Sequence, residues 1–170
     1  EETTHFSIVD KYGNAVSVTT TINGGYGSKV VVEGAGFLLN NEMDDFSVKP
    51  GYPNMFGLVG GEANSIEPNK RMLSSMTPTI IEKNDKLFMV VGTPGGSTII
   101  TSVFQTILNV IDYGMGMQEA VDSKKFHHQW LPDVLAVEEN TLSEKLSNDL
   151  TQIGHNIVKR TTLGRMDCIL

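Results

Sequence analysis

The sequence predicts a layered domain that mixes sheet and helix, of the α/β or α+β kind. Three observations carry this. The first twenty-two residues alternate apolar and polar side chains as a pair of strands would. Residues 97–113 carry apolar side chains at helical spacing. From there to the end, strand-like and helix-like segments alternate. The chain has 170 residues, enough for one domain with a real core.

Taken in order, His5–Asp10 and Ala15–Ile22 read as strands, with Phe6 and Ile8 on one face of the first. Lys11-Tyr12-Gly13-Asn14 is a turn, which makes the pair a hairpin. A glycine-rich loop follows at Asn23-Gly24-Gly25-Tyr26-Gly27. Lys29–Val32 and Phe37-Leu38-Leu39 read as strands, the latter running into Asn40-Asn41-Glu42-Met43-Asp44-Asp45. Residues 49–69 carry glycine and proline without a period. A loop of that length in a compact domain is more often a lid or binding loop than a linker. Thr79-Ile80-Ile81 and Leu87–Val91 flank Asn84-Asp85, a hairpin turn. Ser97–Tyr113 is the strongest helix, its apolar face broad enough to predict that it is mostly buried. Met117–Asp122 is a short helix and Val134–Val137 a strand. Thr141-Leu142-Ser143-Glu144 reads as a capping box opening a helix that Gly154 closes. Ile157-Val158 and Met166–Leu170 close the chain as strands.

Composition narrows the function. A net charge of −7 argues against nucleic acid as the main partner and against an anionic membrane surface. No stretch approaches the ~20 apolar residues of a membrane span. Cys168 is the single cysteine, so no internal disulfide forms; a small buried side chain is its plainest reading.

Several segments could carry chemistry. Thr3 lies near the start of the chain, and a threonine freed by cleavage of the preceding bond becomes a nucleophile whose own α-amine takes the proton. Glu1 and Glu2 precede it here, so Thr3 lacks that amine in the chain as it stands. His5 shares its strand face and is a conceivable partner. The corner Gly92-Thr93-Pro94-Gly95-Gly96-Ser97 fits an oxyanion hole, a phosphate cradle or a plain tight connection. The missing lysine counts against a nucleotide loop. Ser74-Ser75 could hold a carboxylate, or be a turn satisfying its own backbone. Glu42 and Asp45 could hold an amine, or belong to a solvated acidic loop. His127-His128 suggests a metal pair, but adjacent histidines point apart and no third ligand has suitable spacing, so packing and hydrogen bonding are expected of them. No metal or other cofactor is called for.

Together, in order and spacing, these segments resemble the small, C-terminal subunit of a γ-glutamyltranspeptidase, an N-terminal-nucleophile hydrolase. The resemblance covers nearly all of residues 1–170. It rests on Thr3-Thr4-His5-Phe6-Ser7, Thr20-Thr21-Ile22-Asn23, the Leu38–Phe46 run, the Gly57–Gly61 loop, Asn69–Thr79, Gly92–Ser97 and Phe126–Asp133. It implies an α+β chain that forms part of an αββα sandwich completed by a large N-terminal subunit of the same precursor. It implies Thr3 as nucleophile, with self-cleavage between Glu2 and Thr3, and Thr21 as the hydroxyl supporting it. By the same resemblance Asn23, Glu42 and Asp45 hold the α-amino and α-carboxylate ends of a γ-glutamyl group, Ser74 and Ser75 bind its carboxylate, and Gly95 and Gly96 form the oxyanion hole. The implied substrates are glutathione and related γ-glutamyl amides, with water, amino acids or peptides as acceptors. The implied location is periplasmic or extracellular. Poly-γ-glutamate cleavage and a non-enzymatic binding module are the alternatives. The chain departs from the family pattern at Phe56, where a tyrosine is frequent, at Met72 for proline and at Thr98 for arginine. Its last strand looks short. The isolated fragment is expected to be catalytically silent and prone to self-association.

Overall fold

The computed structural model describes residues 3–170. Strands β1 (Thr3–Val9) and β2 (Ala15–Thr21) form an antiparallel hairpin with Thr3 opposite Thr21, His5 opposite Thr19 and Ser7 opposite Ser17. Asp10 closes its tip. One carboxylate oxygen accepts from the backbone of Tyr12 (2.8 Å) and Asn14 (2.9 Å), and Gly13 takes φ +87°, which a side chain would resist. Strands β3 (Thr79–Lys83) and β4 (Lys86–Gly92) form a second hairpin through Asn84 and Asp85. Both turn residues have positive φ (55° and 59°), as a two-residue hairpin turn requires.

The chain then passes through a 3-10 turn (Gly96–Thr98) into helix α1 (Ile99–Ile111) and helix α2 (Met117–Asp122). Strands β5 (Phe126–His127), β6 (Leu135–Glu138) and β7 (Ile157–Arg160) make a small sheet, with β6–β7 parallel across helix α3 (Glu144–Gln152). Strand β8 (Asp167–Ile169) returns to pair antiparallel with β4, giving the order β3-β4-β8.

β4 is the middle of three layers. Met89, Val90 and Val91 are all fully buried, so both of its faces are covered. Met89 and Val91 pack with Ile99, Val103 and Val110 of α1, Ala120 of α2 and Met166 in one apolar cluster. The opposite face receives the β1–β2 hairpin, whose Ser17 donates to Val91 O (3.2 Å) and whose Ser7 donates to Asp167 O (3.0 Å). The described residues therefore supply a helix layer, a sheet and the hairpin. The outer face of the hairpin is apolar and uncovered: Phe6, Ile8 and Val16 are 41–55% exposed.

The alternation in β1 gives two faces, and the core receives the polar one. The reason is that Thr3, His5, Ser7, Ser17, Thr19 and Thr21 satisfy one another and the neighbouring backbone, which lets a polar face be buried. α1 is not mostly buried, since Ile100, Phe104 and Ile111 form an exposed apolar stripe. Residues 29–32 and 37–39 form no regular strands. One bridge joins Val31 to Leu38, and positive φ at Lys29, Gly34 and Gly36 breaks the extended run. The N-cap of α3 is Ser143, whose hydroxyl accepts from Leu146 N (3.2 Å); Thr141 instead donates to Glu138 O (2.8 Å). β5 is too short to leave a period in the sequence.

Gly92 has no room for a side chain, because a Cβ there would overlap the His5 ring. Gly92→Ala is expected to destabilise the protein by about 1–3 kcal/mol, the usual cost of overpacking. Thermal unfolding of the variant beside the wild type checks this.

Candidate active site

The site is built where β1 begins and β4 ends. Thr3 is half-buried and donates to Thr21 Oγ1 across the hairpin (3.0 Å). Thr21 Oγ1 also accepts the backbone N–H of Asn23 (2.8 Å), which orients it toward Thr3. His5, two residues on, is 4% exposed and lies against Gly92. Its Nδ1 meets Thr19 Oγ1 (2.7 Å) and its Nε2 meets Ser7 Oγ (3.1 Å). Ser7 gives its own proton to Asp167 O, so Nε2–H donates to Ser7 and, in the neutral ring, Nδ1 accepts from Thr19. Burial pushes the His5 pKa below the ordinary histidine value, against a smaller upward pull from Asp167. His5 is thus a buried, neutral strut between Thr19 and Ser7.

Three residues past Gly92, Gly95 takes φ +154° and Gly96 φ +57°. A Cβ on Gly95 would lie 2.8 Å from Thr98 Oγ1. Gly95 O accepts from Thr98 N (3.2 Å) and Thr98 Oγ1 (2.8 Å), which fixes the turn. Thr93 Oγ1 accepts Arg165 N (2.7 Å), tying the start of the turn to the segment before β8. That segment is itself held where Glu138 accepts Leu163 N (2.7 Å).

The polar rim comes from the loops after β2. Asn23 is buried at φ +70° and donates to Asn41 O (3.2 Å), while Gly24 N donates to Asn41 Oδ1 (2.8 Å). This pins the 3-10 turn Glu42–Asp45 beside the end of β2. Asp45 is 7% exposed and accepts the Ser75 hydroxyl (2.7 Å). Glu42 Oε1 is buried and has no hydrogen-bond partner among the described residues, the state expected of an acceptor awaiting a donor. Both carboxyls are raised above the usual range. Burial is the main cause for each, with repulsion from Asp45 added at Glu42; at Asp45 the Ser75 bond opposes it and Asp44 adds to it. Ser74 is placed differently from Ser75: it is exposed, and its hydroxyl donates to Met76 O (3.0 Å).

The structure thus brings Thr3 and Thr21 together, sets Asn23 and Glu42 on the loops joined through Asn41, and bonds Asp45 to Ser75. Sequence reasoning passed over the residues that hold these loops. Asn41 is one. Asn64 is another: it donates to Asp45 O (2.7 Å) and accepts Leu73 N (3.0 Å), which draws the Ser74-Ser75 segment to the acidic turn. An asparagine in the polar run after Leu39 and another in the 49–69 loop are the signals that could have found them. His127 and His128 diverge as expected, to Thr101 and Asp133 respectively. Among the described residues no three histidine, cysteine or acidic side chains gather to hold a metal.

A family profile described as Gamma-glutamyltranspeptidase matches residues 1–170. The chain belongs to the γ-glutamyltranspeptidase family. It is 51% identical over 169 residues to a glutathione hydrolase proenzyme of Escherichia coli K12, and 61% identical over 168 residues to one of Pseudomonas sp. A14. In each case the match covers 99% of this chain and 29% of the relative's length, so the chain spans less than a third of those proteins. Its fold superposes on the γ-glutamyltranspeptidase of Helicobacter pylori, a point mutant, with a TM-score of 0.93 and 58% identity, covering 98% of this chain and 89% of that one. A Bacillus anthracis transpeptidase at 24% identity and TM-score 0.72 shares the fold. The three layers here are thus part of the family's sandwich.

A carboxyl raised by burial binds more protons folded than unfolded between its ordinary pKa, about 4, and its raised one. Stability therefore falls as pH rises through that window, and the deficit persists above it. Asp45→Asn is expected to melt above the wild type at neutral pH, with the gap closing below about pH 4. Melting curves of the two proteins across pH check this.

Proposed function

We propose that the protein containing this chain transfers or hydrolyses γ-glutamyl groups through an acyl-enzyme on Thr3, and that its precursor cuts itself before Thr3. The observation that carries this is the Thr3–Thr21 hydroxyl pair at the start of β1. It places one nucleophile beside a hydroxyl already oriented by backbone, and the loop after Thr21 leads through Asn23 and Asn41 to the turn that carries the paired acids. Cleavage of the Glu2–Thr3 bond gives Thr3 an α-amine near its own hydroxyl, and that amine takes the hydroxyl proton as Oγ1 attacks the γ-carbonyl. The N–H groups of the Gly95–Gly96 turn stabilise the oxyanion. Glu42 and Asp45 receive the α-ammonium with Asn23, and Ser74 and Ser75 bind the α-carboxylate. Collapse of the tetrahedral intermediate expels the amine, and water or an amino group then takes the acyl group.

Glutathione is the substrate this reading favours, supported by relatives named glutathione hydrolase proenzymes. A large N-terminal portion of the same precursor is the partner. The chain spans 29% of its relatives' length, and the exposed apolar faces at Phe6, Ile8 and Val16 and at Ile100, Phe104 and Ile111 are of the kind a partner covers. A periplasmic or extracellular site belongs to the same reading.

In the full-length precursor, Thr3→Ala is expected to stay as one chain, whereas the wild type yields a fragment whose first residue is Thr3. Gel mobility and N-terminal sequencing decide it, and two subunits from the Thr3→Ala precursor would refute self-cleavage by this residue. In the processed enzyme, Ser75→Ala should cost about ten- to a hundredfold in kcat/KM on a γ-glutamyl anilide, the scale of a hydrogen bond to a charged group. Its melting temperature should also fall at neutral pH, because the buried Asp45 carboxylate loses the hydroxyl it accepts.

A further inference from the structure

The Phe126–Asp133 motif has no part in the chemistry above, yet its side chains lead from one wall of the site to another. The loop around Phe56 is folded on itself by Asn54, whose Oδ1 accepts Phe56 N and Leu58 N (both 3.0 Å). It is anchored at two points. Met55 N donates to Asp44 Oδ2 (3.1 Å), beside the acidic turn. Phe56 O accepts from Gln129 Nε2 (3.1 Å), and Gly57 packs so closely on the same segment that a Cβ would lie 3.0 Å from Pro132.

From Gln129 the bonds continue through His127 to Thr101. Gln129 Nε2 also donates to Leu131 O (3.0 Å), so both amide protons are spent and Oε1 is turned to His127 Nε2 (2.8 Å). That nitrogen must then carry a proton, which fixes the ring's orientation. His127 Nδ1 meets Thr101 Oγ1 (2.8 Å), one turn into α1. Thr101 Oγ1 also lies 3.1 Å from Thr98 O, and Thr98 Oγ1 donates to Gly95 O (2.8 Å). In the neutral ring Nδ1 accepts, so His127 and Thr98 O compete for the single Thr101 hydroxyl proton, and the last step to Gly95 runs through the covalent frame of Thr98; a change at His127 or Gln129 therefore alters what Thr101 can give to the turn. Thr101, His127 and Gln129 line a cavity of about 740 Å³ that also holds Asp45 and Ser75.

We propose that Thr101, His127 and Gln129 are positioning residues that couple the 54–58 loop to the Gly95–Gly96 turn, so that both are set together around the bound γ-glutamyl group. The role in catalysis rests on the function proposed above; the coupling itself does not. None of the three touches the reacting atoms.

The test uses the full-length, processed protein with Thr101→Val, Gln129→Leu, the double variant and the conservative Thr101→Ser. Hydrogen exchange at the Phe56, Gly57 and Leu58 amides reads the coupling without turnover. Thr101→Val should speed their exchange about tenfold, the scale of one hydrogen bond, although Thr101 has no bond to the loop. Thr101→Ser should restore wild-type exchange, and the double variant should exchange no faster than the faster single one. In kcat/KM on a γ-glutamyl anilide the two losses should likewise fail to multiply. Wild-type loop exchange in Thr101→Val, or effects that multiply in the double variant, would overturn the coupling. An inactive wild type with coupled exchange would instead refute the proposed function and leave the coupling standing.

Discussion

The site depends on the seating of a polar strand face on the middle sheet. A hairpin face made of the Thr3–Thr21 and Ser7–Ser17 pairs and the His5–Thr19 pair has little hydrophobic drive. Directional bonds hold it: Ser7 and Ser17 reach the backbones of β8 and β4, and His5 bridges Ser7 and Thr19 while its ring fills the space over Gly92. Hydrogen bonds contribute modestly each, but they fix position more narrowly than oily contacts do. That suits a strand whose first residue must meet a hydroxyl at 3.0 Å.

The same seating explains what could be read from the sequence. The strands of both hairpins, α1 and α2 were visible because their periods and turn residues are local. So was the list of polar residues around the site, though only the family resemblance gave them roles. Which face of β1 is buried was not visible. Alternation reports two faces and assigns the apolar one to the core, yet here Phe6 and Ile8 look outward while the hydroxyls look in. The exposed stripe on α1 escaped for the same reason, since a broad apolar face does not say how much of it this chain itself can cover.

The loops show a different limit. Asn41, Asn64 and Gln129 act by bonding backbone groups 17, 19 and 73 positions away. No local pattern encodes such partners. The acidic turn could be recognised as polar, but its tension could not: two carboxyls raised by burial, one with an oxygen lacking a partner among the described residues, mark a place where the fold is less stable than it could be. Sites that recognise a charged group commonly have this character.

The Asp10 turn sits at the other end of the hairpin from Thr3, exposed and without any catalytic group. It nevertheless acts as the zero mark of a ruler. Seven residue pairs run from Val9–Ala15 to Thr3–Thr21, and side chains alternate faces at every step. Lengthening or shortening one arm by a single residue near the tip would turn the whole ladder over on that arm. Thr3 would then face outward with the apolar surface, or Thr21 would turn away from it. A small, solvent-exposed bend thus carries the indexing of the Thr3–Thr21 pair, and its length is less free to drift than its distance from that pair suggests.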